Sequence, residues 1–180
     1  MAIHIALLRA VNVGGRSLKM GDLAAFARDL GFDNPRTLLQ SGNLVFESAD
    51  RGDAALERRL EAEAETRFGF QIDFMLRSAA EWRGLIKANP FPDAARDDPA
   101  HLLVMPLKAG PADGALEALR VAIKGPEKVE IVGRDAYLVY PDGIGRSKLT
   151  IAVVERKLGV RGTGRNWNTV LKLGEMAGAP

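Results

Sequence analysis

The chain has 180 residues, of which 47% are hydrophobic and 27% charged, so it can bury a sizeable core and is neither a disordered nor a membrane-spanning composition. Twenty-five Lys and Arg against 23 Asp and Glu leave a net charge of +2, too little to imply a nucleic-acid partner despite a pI near 9.0. Zero cysteines exclude disulfides, thiolate metal sites and cysteine nucleophiles, and favour a reducing cytoplasm; two histidines make transition-metal sites improbable, and no cofactor is expected.

The opening stretch Met1 to Arg9 has no basic run and is too short for a signal-peptide core, which leaves a buried strand. A loop over Asn12 to Ser17 follows, then apolar residues at helical spacing, Met20, Leu23, Ala24, Ala27 and Leu30, up to a stop at Gly31. Thr37 to Gln40 and Leu44 to Phe46 form two short strands joined by the turn Ser41-Gly42-Asn43. Leu56, Leu60, Ala64 and Phe68 mark a second helix, and Gln71 to Leu76 a strand. The order is βαββαβ, a ferredoxin-like half over residues 1–77.

Residues 78–99 read as a connecting helix with Trp82, Leu85 and Ile86, then a linker punctuated by Pro90, Pro92 and Pro99. The order then restarts over 100–180. His101 to Leu107 is a strand, Ala112 to Ile123 a helix, Lys128 to Val132 and Ala136 to Tyr140 a hairpin about Gly133-Arg134, and Ser147 to Leu158 a helix. The last strand of the repeat is missing from the pattern, and a helix from about Asn166 to Ala177 takes its place. The fold class is α+β, two ferredoxin-like halves whose antiparallel sheets carry their helices on one face.

Three stretches together have a family character: Ala6-Leu7-Leu8-Arg9-Ala10-Val11-Asn12-Val13-Gly14-Gly15 with Met20; Gln40 to Phe46, reading Gln-Ser-Gly-Asn-Leu-Val-Phe; and Arg146-Ser147-Lys148-Leu149 leading to Thr163-Gly164-Arg165-Asn166-Trp167-Asn168-Thr169. In these the chain resembles the bacterial family called domain of unknown function 1697, over nearly its whole length, with Ala10 where that family more often has glycine. The resemblance implies the α+β fold with repeated ferredoxin-like halves and carries no activity, substrate or catalytic residues.

Topology brings the first two stretches together, because the end of the first strand and the turn between the second and third lie at one edge of the sheet. Arg9, Asn12, Gly14, Gly15, Ser41 and Asn43 then form a rim rich in donors, with Arg16 and Lys19 adding charge, which suits a phosphate or carboxylate. Glycine turns and donors that satisfy loop carbonyls explain the same residues without a ligand. A second candidate is Gly143-Ile144-Gly145-Arg146-Ser147-Lys148, two glycines before a serine expected to cap a helix. It matches neither the Walker loop nor G-x-G-x-x-G.

Residues 144–172 hold seven basic residues against Glu155 alone, a polarised surface that attracts anions. Within it Arg165 and Asn166 are expected to supply an opposite rim, and Trp167 either stacks on a planar ligand or packs in the core. His4 and His101 read as strand-edge residues, and Asp93, Asp97 and Asp98 as solvated loop without calcium spacing. Three functions follow. The first is binding of an anionic small molecule or nucleotide at a basic cleft, with nucleic acid as a lesser alternative and no membrane partner. The others are a metal-independent enzyme acting on such a ligand, and an assembly module with a basic docking face.

Overall fold

The computed structural model describes residues 1–52 and 54–179. Its elements run β1 (Ala2–Leu8), α1 (Met20–Asp29), β2 (Asp33–Thr37), β3 (Asn43–Ser48), α2 (Ala54–Phe68), β4 (Phe74–Ser78), α3 (Ala79–Lys87), α4 (Pro92–Asp97), β5 (Leu102–Pro106), α5 (Ala115–Ala122), β6 (Lys128–Val132), β7 (Asp135–Val139), α6 (Ile151–Leu158), β8 (Arg165–Asn166) and α7 (Trp167–Met176). The first sheet has the order β2-β3-β1-β4 and the second β6-β7-β5-β8, all pairs antiparallel, the arrangement of two ferredoxin-like halves. The chain divides into two compact units, Met1–Gly84 with the segment from Leu173 onward, and Leu85–Lys172. Among the described residues no helix is long and apolar enough to cross a membrane.

In the first unit the strand period of two sorts β1 into two faces. Ala6 and Leu8 point to the side where Leu44, Phe46, Phe74 and Leu76 meet Leu23 and Phe26 of α1 and Leu56, Leu60 and Ala64 of α2. Ile5 and Leu7 point the other way and are also fully buried, which is why β1 reads as an unbroken apolar run rather than an alternating one. β4 is an edge strand, and α2 serves its outward amides: Leu76 N–H donates to Glu57 Oε1 at 2.8 Å and Phe74 N–H to Glu61 Oε1 at 3.0 Å. Buried Glu57 is thus an acceptor for the sheet edge, not a stray charge.

The second unit repeats the plan around Met105, Leu107, Leu119, Leu138, Val154 and Leu158. Tyr140 lies in this core with its hydroxyl donating to Leu149 O at 2.9 Å, and Tyr137 donates to Leu85 O at 2.6 Å.

Three expectations about the linker and the second half are corrected. The fourth strand of the second half exists: β8 pairs Leu103 with Asn166 and Val104 with Arg165, and at two residues it is too short to show an alternating pattern. α7 therefore follows the last strand rather than replacing it, just as α3 follows β4. Each half closes with a buried arginine, Arg77 or Arg165, then a polar cap and a helix. Ser78 and Glu81 make a reciprocal capping box, and Asn166 Oδ1 accepts from Thr169 N–H at 3.0 Å. Secondly, α6 is capped by Thr150, whose hydroxyl accepts from Val153 N–H, because Ile144–Arg146 forms a 3-10 turn and Ser147 is extended. Thirdly, the stretch after Phe91 is not loop throughout, since Pro92 starts the short helix α4, where Arg96 pairs with Asp93 and Asp97.

Candidate functional site

A cleft of about 390 Å³ opens in the second unit. The loop from α5 to β6 supplies Lys124, Gly125, Pro126 and Glu127; Asp142 follows β7; and Arg146, Ser147, Lys148 and Leu149 precede α6. Gly143, at φ +80°, turns the chain after β7, its N–H donating to Tyr140 O at 2.9 Å, and the 3-10 turn then carries Arg146 to the cleft. Ser147 Oγ donates to Glu127 Oε1 at 2.5 Å and accepts from Leu149 N–H at 3.0 Å, which ties the two loops together. Lys124 Nζ donates to Val121 O at 3.2 Å. Among the described residues no hydrogen bond or ion pair engages the side chains of Arg146 or Lys148, and both are exposed. Burial, then the Glu127 charge, push the Tyr140 phenol above its usual range, so beneath the cleft it remains a neutral donor.

Sequence reasoning placed Lys148 here and named Arg146 in its motif, but it missed Lys124, Glu127 and Asp142. The Gly125-Pro126 dipeptide was the available sign of a loop at this point.

At the edge of the first unit the end of β1 meets the turn before β3, where Leu8 N–H donates to Gly42 O at 2.9 Å. Its side-chain amides, however, are spent inside the loops. Asn12 Nδ2 donates to Leu18 O at 2.9 Å and Gln40 O at 2.6 Å, while Asn12 Oδ1 accepts from Leu18 N–H. Asn43, with no exposed surface, donates to Leu38 O at 2.6 Å and to Ser41 Oγ at 3.1 Å. Arg9 lies 3.6 Å from the Asp73 carboxylate, and Arg16 stacks over Phe70. Gly14 and Gly15 have positive φ and open space about their Cα atoms. These contacts support the loop-bracing account of Asn12, Ser41 and Asn43.

Arg165 and Trp167 are 7% and 6% exposed, so neither offers a face for stacking on a base. Arg165 donates to Thr163 Oγ1 and to Gly164 O, both at 2.9 Å, and burial lowers its pKa to about 10. His101 Nδ1 is 2.8 Å from Asp98 Oδ2 at the surface. His4 is 1% exposed; its Nε2 is 3.2 Å from Asp50 O, and among the described residues its Nδ1 has no hydrogen-bond partner. Among the described residues no three His, Asp or Glu side chains come together in a way that would hold a metal ion.

The fold defines a duplicated α+β protein of two ferredoxin-like units with an open polar cleft in the second. A family model described as a protein of unknown function, DUF1697, matches residues 1–137, and the chain belongs to that family. A solved structure, the conserved bacterial protein SP0830 from Streptococcus pneumoniae, is similar at a TM-score of 0.78 and 20% identity, covering 98% of each chain. That likeness shows the fold alone. No curated protein matches the chain.

Proposed function

We propose that this protein binds a small anionic ligand bearing a phosphate or carboxylate group in the cleft of its second unit. The observation that carries this reading is that Arg146 and Lys148 reach one concave site together with Lys124, while no partner among the described residues neutralises either of the first two. Exposed cations outside any ion pair are the groups that gain most from an incoming anion, since an anion replaces water rather than an existing partner. The volume, about 390 Å³, lies in the lower range of small-molecule sites. Nucleic acid fits less well: Glu127 and Asp142 line the same cleft and would repel a polyanion, and Arg165 and Trp167 are buried.

Isothermal titration with inorganic phosphate tests this. Saturable, salt-sensitive binding is expected, and Arg146→Ala combined with Lys148→Ala should weaken it about tenfold or more, the loss of at least one charge-assisted hydrogen bond. Both side chains are exposed, so thermal stability should change little. Absence of saturable binding, or binding unaltered by the double substitution, would overturn the reading.

A further inference from the structure

The second-unit cleft is not a pure anion site, and the groups that depart from that pattern narrow the ligand. Two carboxylates stand on its wall with the three cations. A site evolved for phosphate alone gains nothing from acceptors, because phosphate at neutral pH has little to donate and a carboxylate beside it only repels. Among the described residues Glu127 is engaged through one oxygen, Oε1, which accepts from Ser147. Its Oε2 lies against Gly125, where an ideal Cβ would come within 2.4 Å of it, so the absence of a side chain at 125 leaves the carboxylate its place. Asp142 is exposed, and no hydrogen bond or ion pair among the described residues engages it. The site therefore presents acceptors as well as cations.

Ligand donors that match such acceptors are hydroxyls or ammonium groups. An ammonium would pair with Asp142 but would meet Lys124, Arg146 and Lys148 across the same small volume; hydroxyls carry no such penalty. Ala122, Pro126 and Leu149 add apolar surface for C–H faces. Three cations suit a dianion better than a single carboxylate. From these features, and resting on the anion-site reading above, we infer that the cleft takes a phosphomonoester of a polyhydroxylated compound, of sugar-phosphate type. Its phosphate lies on Arg146 and Lys148, and its hydroxyls on Asp142 and Glu127.

The test compares inorganic phosphate, ribose 5-phosphate, glucose 6-phosphate, phosphoethanolamine and unphosphorylated glucose by titration calorimetry with the full chain at one pH and salt concentration. At least one sugar phosphate is expected to bind about tenfold more tightly than inorganic phosphate, the gain of one or two hydrogen bonds to charged acceptors. Glucose alone should show no measurable binding. Asp142→Ala should bring that sugar phosphate to within about threefold of inorganic phosphate while inorganic phosphate binds as well as before or better, the relief of a repulsion. A melting curve confirms that the variant folds. If inorganic phosphate binds but sugar phosphates bind no more tightly, or if phosphoethanolamine is preferred, the sugar-phosphate assignment is overturned and the anion site stands. If no phosphate compound binds, the anion site itself falls.

Discussion

The two loop regions that carry glycine and basic residues use the same residue types in opposite ways. At the edge of the first unit, the amides of Asn12 and Asn43 donate to backbone carbonyls of neighbouring loop residues, Leu18, Gln40 and Leu38, and Arg9 faces Asp73. In the second unit, Gly143 to Lys148 leaves the Arg146 and Lys148 side chains facing a cleft, while the Ser147 side chain bonds to Glu127 and Leu149. Composition makes both stretches look like anion cradles. What separates them is where the donors end: a polar group that closes a loop cannot also close on a ligand without leaving that loop unsatisfied.

Glycines give the sharpest way to break this comparison. Gly42 has φ +85°, and a Cβ there would lie 2.7 Å from Val11 Cγ2 and 2.8 Å from Leu8 Cβ, both buried. Gly42→Ala combines left-handed backbone strain with overpacking, each about 1–3 kcal/mol. Thermal denaturation should show a loss of roughly 10 °C, at about 2–4 °C per kcal/mol for a chain of this length. Gly145 has open space and no positive φ, so Gly145→Ala should move the transition by no more than about 2 °C. Equal effects at the two glycines would mean that the first loop is not the rigid one.

A smaller effect is expected from His4, which ties β1 to the segment after β3. Its Nε2 donates to Asp50 O, its ring packs on Phe46 at 5.4 Å, and the Gly52 backbone lies close over Nδ1, since a Cβ there would come within 2.7 Å of that atom. Protonation would bury a second N–H that no group among the described residues accepts. Burial accordingly lowers the His4 pKa, against the raising influence of the Asp50 carbonyl and the Glu81 and Asp50 charges. With the folded value below the unfolded value near 6.5, the unfolded chain takes up the proton first. Stability is therefore lost as pH falls below about 6.5, until the folded-state pKa is passed. Urea midpoints at pH 7.5 and 5.5 should drop further in the native chain than in His4→Gln, whose amide keeps a donor for Asp50 O and does not titrate. Equal drops in the two proteins would assign the pH dependence to other groups.

Much of the fold was legible because long apolar periodicities do not depend on tertiary context: Leu56, Leu60 and Ala64 mark α2, and the hairpin about Gly133-Arg134 falls where its turn residues put it. The errors lie where local pattern and tertiary demand part. Leu38 and Leu39 look like strand, yet β2 ends at Thr37 and Leu39 is an exposed turn residue at φ +58°, while polar Asp33 to Arg36 forms an irregular edge strand. The candidate site was half legible for a related reason. Arg146 and Lys148 announce themselves by charge, whereas Lys124, Glu127 and Asp142 join them only through the packing of α5, β6 and β7 about Tyr140. No spacing in the chain encodes that meeting.

The smallest expected effect sharpens the account of the first loop as a strained scaffold. Ala10 sits at φ +57°, in the left-handed region, two residues after the end of β1. An alanine there costs about 1 kcal/mol or slightly more from the clash of its Cβ with the following carbonyl. Glycine removes that cost but raises the entropy of the unfolded chain by roughly 0.5–1 kcal/mol, so most of the gain is offset. Ala10→Gly should therefore stabilise the protein by only about 0.5 kcal/mol, a rise of one or two degrees in the melting temperature, with phosphate binding in the second unit unchanged. Ala10→Val provides the contrast, because a β-branched side chain is a severe outlier at this φ and should destabilise by more than the glycine stabilises. Were valine tolerated as well as alanine, the backbone at position 10 would have to relax out of the left-handed region. The first loop would then lose its claim to be the constrained partner in the pair.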